Sequence, residues 1–170
     1  GFELFLSRAD VRKAWETIRS TGAIRAIRVR TVGWYAFNAA RIEGGTPLFN
    51  IDFAATNLPH ESSLIESRVS FTKGCYPGQE IVARMQHLGA PKQALRGLRI
   101  QADVLPVAGT QVFAAEDDTL AEPVGVITSS TISPLSGAAP IAIAMLKKRV
   151  VAAGTEVRIH AEGSACQAIV

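Results

Sequence analysis

The sequence predicts an α+β protein, with a mixed helical and extended segment over residues 1–92 followed by a small antiparallel β-domain over residues 93–170. Three observations carry this. Helical periodicity with stop signals recurs as far as Gly89. From Ala94 the pattern changes to six short apolar runs separated by turns, the spacing of a small barrel or sandwich. The chain has 170 residues, 48% of them apolar, which suffices for a real core and fits one domain or two small ones.

In chain order, residues 1–6 read as a short strand. Ser7-Arg8-Ala9-Asp10 is a capping-box variant, with a hydroxyl for an orphan amide and an acid three positions on. Val11, Ala14, Trp15 and Ile18 then share one helical face, and Gly22 is the expected left-handed stop. Residues 23–29 read as a strand of imperfect alternation. A second helix is expected over residues 32–43, ended by Gly44-Gly45, with Pro47 preventing its return. Residues 47–69 have weak periodicity and read as loop with short turns, and residues 70–72 as extended. A third helix is expected over residues 78–87, closed by Gly89-Ala90-Pro91. The boundary falls near Pro91-Lys92-Gln93. Strands follow at 95–100, 110–115, 124–129, 140–146, 156–159 and 165–170.

Composition removes several functions. Two cysteines, Cys75 and Cys166, cannot form a multi-bridge framework and suit a reducing compartment, so a cytoplasmic location is expected. No apolar run approaches the roughly 18 residues of a membrane span, so no membrane partner is expected. The net charge of +3 is concentrated early, where residues 1–44 hold eight basic side chains against four acidic ones. Such a bias attracts polyanions, but no aromatic residues interleave with the arginines as single-strand binders require. A solvated face is therefore expected rather than direct nucleic-acid binding. No P-loop, G-x-G-x-x-G or Ser/His/Asp order is present, and His60, His87 and His160 are too scattered to argue a metal site.

Two segments carry chemistry. In Lys73-Gly74-Cys75-Tyr76-Pro77-Gly78-Gln79-Glu80, Cys75 lies just before an expected helix start, where exposed amides and the dipole favour a thiolate and Lys73 adds positive charge. A buried structural cysteine among turn glycines fits the same residues. Cys166, in an apolar strand, reads as a core or edge residue. In Arg41-Ile42-Glu43-Gly44-Gly45, a carboxylate sits at the unfavourable end of a helix dipole, so it is either paired, as with Arg41, or used to accept from a planar N–C–NH group. Asp52 and Glu61 form a weaker candidate, an acid pair across the loop.

The octapeptide at 73–80 matches K-G-C-Y-x-G-Q-E, the signature of the YgfZ family, and the match continues through Ile81-Val82-Ala83-Arg84 to Gly89. Arg41-Ile42-Glu43-Gly44-Gly45-Thr46-Pro47 resembles the family's R-I-E-A-G-x-P, with Gly44 where Ala is usual, and Asn57-Leu58-Pro59-His60-Glu61 resembles the loop that follows. Residues 1–5 resemble the strand opening the second half of that family's folate domain, and residues 124–130 a strand of its C-terminal barrel. The resemblance implies a partial folate-binding α/β domain of aminomethyltransferase type over residues 1–92 and a β-barrel over residues 93–170. It implies tetrahydrofolate as cofactor. Glu43 would accept from the pterin N3–H and 2-amino group, Lys73, Tyr76, Gln79 and Arg84 would bind the same cofactor, and Cys75 would be the functional thiolate. It further implies an accessory role in assembly or repair of iron–sulfur clusters in client proteins, including tRNA-modifying enzymes. The family is similar to the glycine-cleavage T-protein, which lacks a cysteine at this position. That argues against a plain tetrahydrofolate-dependent aminomethyltransferase, which stands as one alternative beside a non-catalytic binding fragment. The resemblance also implies an N-terminal half that this sequence does not contain, as if it were cut from a longer chain or completed by a half supplied in trans.

Overall fold

A computed structural model of the chain describes residues 4–170. It shows four α-helices among the described residues and a closed six-stranded antiparallel barrel, which is the expected α+β class. Residues 1–3 of the expected first strand lie outside the described residues, and residues 4–6 have no regular structure.

The first helix, α1 (Val11–Ile24), is capped by Asp10, whose side chain makes no capping bond. The capping-box pair still meets, in a different way. Ser7 Oγ donates to Asp10 Oδ2 at 2.5 Å, and the Asp10 amide donates to the Ser7 carbonyl at 3.0 Å. Gly22 does not stop the helix. It is glycine because the chain returns across it, and a Cβ there would sit 2.4 Å from Val29 Cγ2. The stop is a Schellman motif around Ala26, which is left-handed at φ 54°. The Ala26 amide donates to the Ala23 carbonyl at 3.2 Å, and the Ile27 amide to the Gly22 carbonyl at 2.8 Å. Helix closure thus consumes part of the segment expected as a strand at 23–29, and that segment pairs with no other strand among the described residues. An alanine held left-handed costs about 1 kcal/mol relative to glycine. Ala26→Gly should therefore slow amide exchange at Ile27 by about fivefold, and unchanged exchange would contradict this end-cap.

By compactness the chain divides into Gly1–Trp34 and Tyr35–Val170. The second helix, α2 (Trp34–Glu43), starts two residues later than expected and ends as the sequence requires. Gly45 is left-handed at φ 60°, with the Gly45 amide on the Ile42 carbonyl at 3.0 Å and the Thr46 amide on the Arg41 carbonyl at 2.7 Å. The loop region contains one short helix, α3 (Ile65–Arg68), and no strand forms at residues 70–72, where the chain bends over residues 71–73. The helix α4 (Gln79–Leu88) follows a left-handed Gly78.

All six expected strands form: β1 (Gln93–Ile100), β2 (Gln111–Ala114), β3 (Pro123–Ser133), β4 (Ala139–Lys147), β5 (Glu156–Ala161) and β6 (Ser164–Ile169). Their order around the barrel is β1-β4-β3-β2-β5-β6, closed where Arg99 of β1 pairs with Ile169 of β6. Val112, Ile127, Leu146, Val157 and Ile159 fill the interior at 0% exposure. On β4, Ala142, Ala144 and Leu146 belong to this interior, whereas Ile143 and Met145 join Leu95 and Ile42 of α2 in a second cluster. The strand is buried on both faces, which is why its sequence is a continuous apolar run instead of an alternating one. This second cluster seats α2 against the barrel wall.

Candidate functional site

The end of α2 is fixed by a buried polar network. The Arg41 and Asp52 side chains are 3% and 0% exposed, and Arg41 Nη1 donates to Asp52 Oδ2 at 2.7 Å. Arg41 Nη2 donates to Ser129 Oγ at 2.6 Å, and Arg41 Nε to Asn38 Oδ1 at 2.8 Å. Asp52 accepts the Leu48 amide at 2.8 Å on Oδ2, and the Thr128 and Ser129 hydroxyls at 2.7 and 2.6 Å on Oδ1. In a regular strand, consecutive side chains point to opposite faces. Here β3 shifts register between Ile127 and Ser129, so Thr128 is an extra residue and both hydroxyls reach one carboxylate oxygen. Asp52 is therefore Arg41's partner and not half of an acid pair. Glu61 serves elsewhere, accepting from Asn57 Nδ2 at 2.9 Å and the Leu58 amide at 3.3 Å.

With Arg41 committed to Asp52, Glu43 is left to face β3. Its Oε1 accepts the Ser133 hydroxyl at 2.6 Å and the Leu135 amide at 3.0 Å. These two bonds, Ser133's foremost, hold the Glu43 carboxyl below its ordinary proton affinity, against a smaller opposing effect of desolvation. Oε2 accepts no hydrogen bond from the described residues. A groove of about 500 Å³ opens beside the carboxylate, with Ile141 and Ile169 as its apolar wall and Arg99 on its lining. The site can thus offer one fixed anionic acceptor against an apolar wall.

The octapeptide is separate from this cavity, and none of its residues lines it. Lys73, Cys75 and Gln79 are exposed, Tyr76 is half-buried, and Arg84 is exposed on α4. Lys73 Nζ stands 4.5 Å from the Tyr76 ring centroid, and the Tyr76 amide donates to Gln79 Oε1 at 3.2 Å. Lys73 is therefore placed over an aromatic face. Cys75 precedes the left-handed Gly78 by three residues, open to solvent, and is a free thiol. Cys166 packs against the barrel interior, and burial pushes its thiol up. No group of three His, Cys, Asp or Glu side chains among the described residues is arranged to hold a metal ion. Among the same residues no helix is long and apolar enough to cross a membrane.

The barrel and the helix seated on it define a class. Residues 93–170 match the glycine cleavage T-protein C-terminal barrel domain. The crystal structure of glycine cleavage system aminomethyltransferase T from Bartonella henselae superposes with a TM-score of 0.75 at 24% identity, over 95% of this chain and 42% of that one, and so shares the fold. An aminomethyltransferase from Geobacillus thermodenitrificans is 29% identical over 170 residues, 100% of this chain and 44% of its own. The tRNA-modifying protein YgfZ of Yersinia enterocolitica is 35% identical over 108 residues, 63% of this chain and 32% of its own. Residues 93–170 thus carry the T-protein C-terminal barrel domain, the chain as a whole is similar to aminomethyltransferases and YgfZ proteins, and it spans less than half the length of these relatives.

Proposed function

We propose that this chain is the part of a folate-dependent accessory protein that carries the pterin-side carboxylate and the functional thiol, serving iron–sulfur client proteins in the cytoplasm. Residues 1–92 are read as the second half of the folate-binding α/β domain and residues 93–170 as its barrel. The observation that carries the reading is Glu43: an ionised carboxylate, fixed on one oxygen and open on the other, at the edge of an apolar-walled cavity of ligand size. Those residues fit one edge of tetrahydrofolate. Glu43 Oε2 would accept an N–H of the pterin, Ile141 and Ile169 would cover the ring, and Arg99 would meet a carboxylate of the glutamate tail. When bound, the cofactor would supply one-carbon chemistry. A grip by both carboxylate oxygens is not on offer while Ser133 and Leu135 fill the two acceptor positions of Oε1.

Cys75 is the proposed functional residue toward the client, and Lys73, Tyr76, Gln79 and Arg84, which lie outside the Glu43 cavity, are proposed as contacts to a part of the cofactor beyond it. The exposure of Cys75 puts its sulfur within reach of a cluster iron held by another protein, which it would ligate. An exposed apolar face on α1, with Val11, Trp15 and Ile18 at 52%, 39% and 40% exposure, favours a further half in trans as partner. Cys75→Ser, expressed with whatever companion half wild-type function requires, should abolish rescue of an iron–sulfur enzyme while leaving the thermal unfolding curve unchanged. Full rescue by that variant would overturn the thiolate role and move the reading to a tetrahydrofolate-dependent aminomethyltransferase or a non-catalytic binding fragment.

A further inference from the structure

We infer that Ser133, a barrel residue, is the positioning residue of the Glu43 cavity: its hydroxyl fixes the carboxylate so that Oε2 alone is presented to an N–H donor on a ligand. The inference rests on the reading of that cavity as a ligand site. Ser133 ends β3 and is 0% exposed. Its Oγ accepts the Ser136 amide at 3.1 Å, which orients the hydroxyl, and its single proton goes to Glu43 Oε1 at 2.6 Å. The turn Pro134–Ser136 brings the Leu135 amide to the same oxygen at 3.0 Å, and the Ala138 amide closes the turn on the Ser133 carbonyl at 3.0 Å. Both donors on Oε1 therefore come from one barrel turn, 90 and 92 residues along the chain from Glu43.

The arrangement has two consequences. A carboxylate oxygen has about two acceptor positions, so Oε1 is filled and a ligand meets one oxygen. The cavity then selects for a heterocycle that offers an amino or ring N–H at that edge, and does not require an amidine-like pair. The carboxylate is also kept ionised. The charged groups around it are Arg99 of β1, on the lining of the same cavity, and Arg41 of its own helix, which is spent on Asp52. The hydroxyl and the amide lower the Glu43 carboxyl's proton affinity. The acceptor is thus present above its depressed folded value and is lost as pH falls through that value. Without the Ser133 hydroxyl this limit moves up toward the ordinary carboxylate range.

The test is a carbon-detected NMR titration of the Glu43 carboxyl in the free wild-type chain and in Ser133→Ala, paired with calorimetric titration of both with tetrahydrofolate at neutral pH. Ser133→Cys, close in size and a weaker donor, gives the same comparison with the turn filled. The Glu43 midpoint should rise in both variants, and tetrahydrofolate affinity should fall by about tenfold in Ser133→Ala, as for loss of a hydrogen bond to a charged group. An unchanged midpoint in a folded variant would overturn the inference. A shifted midpoint in a wild-type chain that binds no tetrahydrofolate with its companion half present would sink the folate reading and leave the positioning role standing.

Discussion

Asp52→Asn should cost about 3–5 kcal/mol of unfolding stability, because it leaves the Arg41 guanidinium buried without its counter-charge. The pair is nearly solvent-free, and Asp52 also collects the Leu48 amide and two β3 hydroxyls. Neutralising it weakens every one of those bonds at once. The pair itself is a different matter, since a buried ion pair replaced by apolar groups of similar volume is often neutral. Arg41→Met combined with Asp52→Leu should therefore recover most of the loss, less the cost of the stranded Ser129 hydroxyl and Leu48 amide, since Thr128 keeps the Ile143 carbonyl. Urea denaturation of the three variants reads this directly. A loss below about 1 kcal/mol in Asp52→Asn would show that water reaches the network and that it does not hold α2 on the barrel.

Glu43→Gln should abolish tetrahydrofolate binding, with at least a hundredfold loss, while changing stability little. The amide oxygen of Gln still accepts from Ser133 and Leu135, so the turn keeps its partner. The other end becomes an NH₂ group that faces a ligand N–H as donor against donor, and the charge is gone. A hydrogen bond to a charged group contributes about 1.5–3 kcal/mol, and a repelled, unpaired donor adds to the loss. Glu43→Ala is a poorer probe, since it strands the buried Ser133 hydroxyl and confounds affinity with stability. Loss of binding together with a large loss of stability in Glu43→Gln would mean that the carboxylate is a structural clasp.

How much of this was legible in the sequence depended on the range of the interaction. The barrel strands were readable because each short apolar run is bounded by its own turn residues, and the end of α2 because Gly44-Gly45 with Pro47 leaves the backbone little choice. Gly22 misled because glycine serves close approach as well as left-handed turns, and the left-handed position went to Ala26, which no propensity marks. The site was legible only in part. Glu43 stood out as a carboxylate at the wrong end of a helix. Its partner is 90 residues away, and Arg41's contacts with Asp52 and Ser129 span 11 and 88 residues. The available signal was the run Ile127-Thr128-Ser129-Ser130-Thr131, hydroxyls where an outward-facing strand would carry charged groups. The bulge that aims two of them at Asp52 has no sequence mark of its own.

The central claim is that the Glu43 cavity takes the pterin edge of tetrahydrofolate, and calorimetric titration of the wild-type chain beside Glu43→Gln tests it most directly. Saturable one-to-one binding by the wild type, lost in a folded Glu43→Gln, is the expected result. Equal binding by both proteins, or none by the wild type with its companion half present, would contradict it.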